Sequence, residues 1–148
     1  MKIHSVSVLA LLSAAIIAAL AAAPVVAADE PKAKLVKSFV DIFSQHDLTG
    51  LLALTHAEVE WLTIDGSSVL VETRGQEALA ASLRKYFEGC PTCRSTVDVS
   101  SVNGNFVSAI ETAHWQSKGK ERAQASLSVY EILDGKVRRV WYYPAVAK

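Results

Sequence analysis

The chain of 148 residues carries 15 basic and 15 acidic side chains and no formal net charge, which excludes the electrostatic footprint of a nucleic-acid-binding protein. Its length serves one domain with one core and is too short for two. The 51% hydrophobic content is inflated by a single N-terminal segment and says nothing of membrane character in the rest.

That segment has three parts. Lys2 and His4 precede an apolar run from Val6 to Ala23, and Pro24-Val25-Val26-Ala27-Ala28 supplies small residues before Asp29, Glu30 and Lys32. This is the pattern of a cleavable secretory signal over residues 1–28, with a domain over 29–148. About 18 apolar residues also suffice to span a bilayer. The Ala-rich composition and the small residues after Pro24 favour cleavage, with no stable membrane insertion afterwards and a periplasmic or secreted product. No Cys directly follows the apolar run, so a lipoprotein anchor is not available. Loss of Lys2 leaves 14 bases against 15 acids, a net charge near −1.

In the domain, Leu35, Val36, Phe39, Val40, Ile42 and Phe43 recur at three and four, which predicts a helix over 34–43 with one buried face. Asp47 stands at an N-cap position before Leu48, Leu51, Leu52 and Leu54, so a second short helix is expected to about His56. Val59 to Ile64 and Val69 to Val71 flank Asp65-Gly66-Ser67 and read as a β-hairpin. Arg74-Gly75-Gln76-Glu77 opens a third helix over 77–87, with Ala78, Leu79, Leu83, Tyr86 and Phe87 on its apolar face, and Gly89 and Pro91 end it. Four strands follow, over 95–102, 106–116, 122–133 and 137–143, joined by turns at Asn103-Gly104-Asn105, Lys118-Gly119-Lys120 and Asp134-Gly135. The order is α-α-β-β-α-β-β-β-β, an α+β domain whose last strands form an antiparallel meander.

This order, with the phrases Phe43-Ser44-Gln45-His46-Asp47-Leu48, Arg74-Gly75-Gln76-Glu77-Ala78-Leu79 and Val129-Tyr130-Glu131-Ile132-Leu133-Asp134-Gly135-Lys136-Val137, resembles the SnoaL-like branch of the nuclear-transport-factor-2-like superfamily. The resemblance covers essentially the whole domain. It implies a cone: a curved antiparallel sheet wrapped around the N-terminal helix, enclosing an apolar pocket. It does not fix a chemistry, because the superfamily includes isomerases, cyclases, dehydratases and epoxide hydrolases beside members that only bind or assemble. Ketosteroid isomerase action in this group implies a helix-one Tyr, a base at the end of the first strand and an acid on the third long strand. Those positions fall on Phe39, Trp61 and the neighbourhood of Ser128, none of which has the needed acidity, so that mechanism is rejected.

Strand alternation puts Val107, Ala109, Glu111, Ala113 and Trp115 on one face, and Phe106, Ser108, Ile110, Thr112 and His114 on the other. By the resemblance the Glu111 set faces the cone, joined by Tyr130 and Ile132 and by Arg138, Val140 and Tyr142. Glu111 is then the candidate catalytic acid or base, its pKa raised by burial. The alternative is a structural ion pair with Arg138 or Arg122. Phe39, Trp61, Trp115, Tyr130, Arg138 and Tyr142 form the candidate pocket wall, suited to a small apolar or aromatic ligand, although aromatics at strand spacing also serve as plain core. No cofactor is expected. His46, His56 and His114 lack metal-ligand spacing, so no metal is expected either. Cys90-Pro91-Thr92-Cys93 follows a helix rather than opening one, which argues against an activated thiol and for a local disulfide in an oxidising compartment.

Three readings follow. The first is an exported small-molecule-binding domain, expected to be a homodimer through Phe106, Ile110, Trp141 and Tyr143 on the outer strand faces. The second is an enzyme using Glu111 with Tyr142 or Arg138. The third is a non-catalytic assembly domain with its cone filled by its own side chains.

Overall fold

The computed structural model describes residues 30–148. The proposed signal over 1–28 lies outside the described residues. Helix α1 (Pro31–Ser44) starts where Glu30 accepts a hydrogen bond from the Lys32 amide (2.8 Å), with proline at the first turn, where its missing N–H has no partner to lose. It buries Ala33, Val36, Phe39 and Val40. His46, at φ +56°, turns the chain into α2 (Leu48–Ala53), which is capped as expected by Asp47 accepting from the Gly50 amide (2.9 Å). The second helix stops short of His56 because β1 already begins at Thr55.

Strands β1 (Thr55–Asp65) and β2 (Ser68–Arg74) form the hairpin, and α3 (Gln76–Gly89) follows. Gly75 caps α3 at φ +83°, a left-handed conformation that favours glycine, and its amide donates to Val59 O (2.7 Å). Gln76 reaches back with its amide to Leu52 O, Thr55 O and Thr55 Oγ1, fixing the start of α3 against α2 and β1. The remaining strands are β3 (Arg94–Asn103), β4 (Phe106–Ser117), β5 (Lys120–Leu133), β6 (Lys136–Tyr142) and the two-residue β7 (Val146–Ala147), which the sequence pattern does not announce. The sheet runs β2-β1-β6-β5-β4-β3, with β7 against β5. All pairings are antiparallel except β1 with β6, which is parallel and returns the end of the meander to the first hairpin.

The sheet is curved and unclosed, and α1 and α3 pack on its inner face, giving the α+β cone expected from the sequence. Val36, Phe39, Val40, Leu51, Leu79 and Leu83 from the helices meet Val107, Tyr130, Ile132, Val137 and Val140 from the strands in one core. Among the described residues no helix is long and apolar enough to cross a membrane.

Candidate functional site

The inner face of the sheet is not wholly filled by helices. Between α1, α3 and the strands lies an open cavity of about 520 Å³. Strand β4 pairs with β5 over twelve residues without a register shift, so its alternation is uninterrupted and carries Glu111 to this inner face. The Glu111 side chain lines the cavity yet is only 9% exposed.

Two phenols hold it. Tyr130 Oη donates to Glu111 Oε2 at 2.7 Å and Tyr142 Oη donates to the same oxygen at 2.9 Å. The Ser95 hydroxyl bonds the same carboxyl group. Ser95 is itself fixed to α1, since the Ser44 hydroxyl accepts from the Ser95 amide (2.8 Å) and donates to the Ser95 carbonyl (2.7 Å). Burial pushes the Glu111 carboxyl above the ordinary carboxylate range, and the bonds from Tyr130, Tyr142 and Ser95 offset part of that rise. Burial, with the Glu111 charge second, raises both tyrosines well above an ordinary phenol, so both keep their protons at neutral pH and act as donors.

Trp61 stacks on Tyr142 (ring centroids 5.4 Å, planes at 25°) and forms the aromatic wall beside this acid. Phe39 supports it from below, 6.3 Å from Trp61 and 6.1 Å from Tyr130 between centroids, and is itself buried in the core. Tyr130 likewise stands behind Glu111, fully buried, and touches the site only through its hydroxyl. Of the expected wall, then, Trp61 and Tyr142 face the cavity with Glu111, while Phe39 and Tyr130 back them.

Two expected wall residues are elsewhere. Trp115 shares the Glu111 face but lies four residues on, about 13 Å along the strand, beyond the cavity lining, where β4 and β5 run on to their turn. Arg138 is turned outwards. Between Ile132↔Val137 and Glu131↔Arg139 the β5–β6 register shifts, so β6 carries one extra residue there. The bulge sends both Arg138 and Arg139 to the outer face, where Arg138 pairs with Glu58 (3.3 Å) and Glu131 (3.8 Å). Neither Arg138 nor Arg122 forms a hydrogen bond or salt bridge with Glu111.

A second shift, in β2, does the opposite. Trp61 pairs with Thr73 and Leu62 with Val71, leaving Glu72 as the extra residue, and both Glu72 and Thr73 come to line the cavity. Sequence reasoning missed them, because a bulge has no period. It also missed Phe43, Ser82 and Ser95 as cavity residues, although Leu79, Leu83 and Tyr86, which line it too, were visible as the apolar face of α3. Tyr143, expected on the outer face, lines the mouth because β6 ends at Tyr142 and alternation ends with it.

Cys90 and Cys93 are disulfide-bonded, with Cα atoms 5.4 Å apart, at the C-terminal end of α3. His46 stacks on Phe87 (4.4 Å) and bonds the Cys93 carbonyl (2.7 Å). His56 bonds the Glu58 amide and His114 lies against Glu121. Among the described residues no group of three or more His, Cys, Asp or Glu is arranged to hold a metal ion. The positions matched to the isomerase mechanism are an aromatic support (Phe39), the wall (Trp61) and a buried hydroxyl donating to Ala109 O (Ser128, 3.4 Å); the buried acid of this cavity is Glu111.

The SnoaL-like domain family model matches residues 36–140. The chain belongs to that family. No curated protein sequence matches it. Solved structures share the fold at low identity. A protein of Xanthomonas campestris pv. campestris with a provisional polyketide cyclase designation is 19% identical, with 77% of this chain and 90% of that one covered and a TM-score of 0.58. An epoxide hydrolase of the LEH-like type from Mycobacterium tuberculosis is 18% identical, covering 76% and 81%, at 0.60. TerC, co-crystallised with polyporic acid, is 17% identical, covering 80% and 92%, at 0.62.

Proposed function

We propose that this SnoaL-like domain binds a small ring-containing molecule in the cavity, with the ring against Trp61 and Tyr142. The observation that carries the reading is an open space of about 520 Å³ whose wall joins an aromatic stack to one buried carboxyl group. A cone filled by its own side chains, the assembly reading, would leave no such space. Pockets with a mainly apolar wall and few polar groups are the usual form of small-molecule sites.

The test is native mass spectrometry of protein purified from its own cell envelope, beside a denatured sample. The expected result is a co-purifying molecule that is lost on denaturation and absent from Ala113→Trp, whose indole fills the cavity. A clean protein mass for the wild type, with no saturable binding across a library of ring compounds, overturns the reading. The denatured mass also reports the mature N-terminus, and so tests our proposal that residues 1–28 are removed on export to the periplasm or beyond. The same spectra test the homodimer, for which the exposed Phe106, Ile110 and Leu127 supply apolar surface.

A second reading, acid–base catalysis on the bound molecule, is favoured by the Glu111 geometry. A buried acid with a raised pKa, held by two phenol donors on the wall of an open cavity, is suited to proton transfer of the isomerase, cyclase or dehydratase kind. Tyr142, whose hydroxyl donates to Glu111 Oε2 (2.9 Å), is the phenol that faces the cavity beside this acid.

A further inference from the structure

Two charged side chains line the cavity among the described residues, and both are acids: the exposed Glu72 and the buried Glu111. No lysine, arginine or histidine joins them. Neighbouring cations are engaged elsewhere. Arg74 and Arg139 pair with Glu60 (2.7 and 2.6 Å), Arg138 with Glu58 and Glu131, and Lys148 Nζ donates to Thr112 (3.1 Å). The other polar side chains of the lining are hydroxyl-bearing residues, the Trp61 indole and the amide of Gln124. One of those hydroxyls, Thr73 Oγ1, is buried without a hydrogen-bond partner.

An anion entering this cavity would leave water for walls that offer no positive charge, and would meet the ionised form of Glu111 with the same sign. A hydroxyl or ammonium group finds acceptors already in place. We infer that the cavity is selective by charge: its ligand is a ring-bearing molecule without negative charge that reaches Glu111 through a hydroxyl or ammonium group. This inference rests on the small-molecule reading above and adds the chemical class to it.

The test compares three probes that share one ring, 2-naphthol, 2-naphthylmethylammonium and 2-naphthoate, by calorimetric or fluorescence titration at neutral pH. The hydroxyl and ammonium probes are expected to bind, and the carboxylate at least about tenfold more weakly. A carboxylate that binds as tightly as the others overturns the charge inference and leaves the small-molecule reading standing. No saturable binding of any of the three by folded protein overturns both. In the double variant Glu72→Gln with Glu111→Gln the ratio between probes is expected to narrow; an unchanged ratio overturns the assignment of selectivity to these two acids.

Discussion

Glu60 and Glu111 are the same amino acid on the two faces of one sheet, and they are held in opposite ways. Glu60, next in sequence to the cavity residue Trp61, faces outwards between Arg74 and Arg139, whose hydrogen bonds lower its pKa. Glu111 faces inwards among phenols and a serine, and burial raises its pKa. On the outer face two arginines neutralise Glu60. On the inner face no cation among the described lining residues does the same for Glu111. The difference teaches that the position of the charges, and not their number, separates the scaffold from the site.

The sharpest way to break the contrast is Glu111→Gln. If the domain is catalytic, turnover is expected to fall by about 10²–10⁴-fold, the range of general acid–base catalysis, while the co-purifying molecule stays bound in the native mass spectrum. Phe39→Ala removes the support beneath Trp61 and Tyr130 and is expected to cost about 3–5 kcal/mol in denaturant unfolding. Retained stability there would mean that the aromatic stack does not carry the inner face.

The pH dependence of stability should run in opposite directions for the two acids. A raised folded pKa means that the Glu111 contribution is full below its unfolded pKa and is lost as pH rises through the folded one. The melting-temperature advantage of wild type over Glu111→Gln should therefore be largest at acid pH and shrink or reverse as pH rises. The lowered pKa of Glu60 gives the reverse: its contribution is present above the unfolded pKa and lost as pH falls through the folded one. Thermal melts of Glu111→Gln and Glu60→Gln beside wild type across the acid-to-neutral range check the crossing. The smallest effect is expected from Arg139→Ala, about 1 kcal/mol or less and reduced by salt, because its pairs with Glu60 and Glu131 are partly solvated.

Where the chain obeys a period, its sequence is readable. The apolar spacing of α1 put Phe39 on its buried face, the unbroken alternation of β4 put Glu111 on one face that the family resemblance assigned to the cone, and the Asp47 cap and the Gly75 turn mark their helices as expected. Where the period breaks, inference fails. The β6 bulge reverses Arg138, and the β2 bulge brings Glu72 and Thr73 into the cavity unannounced. Trp115 shows a different limit: alternation gives the face of a residue and not how far along the strand the cavity extends. The parallel pairing of β1 with β6 joins segments far apart in the chain, and no local pattern encodes it.

The Ser44–Ser95 pair gives the site a built-in reporter. The Ser95 amide donates to a side chain on α1 rather than to a neighbouring strand, and it can meet solvent only when that helix lifts from β3. Its hydrogen-exchange rate therefore measures the opening of the helix over the sheet at the residue that touches Glu111. Slow exchange at Ser95 beside fast exchange elsewhere in β3 would identify a site that stays closed while its surroundings breathe.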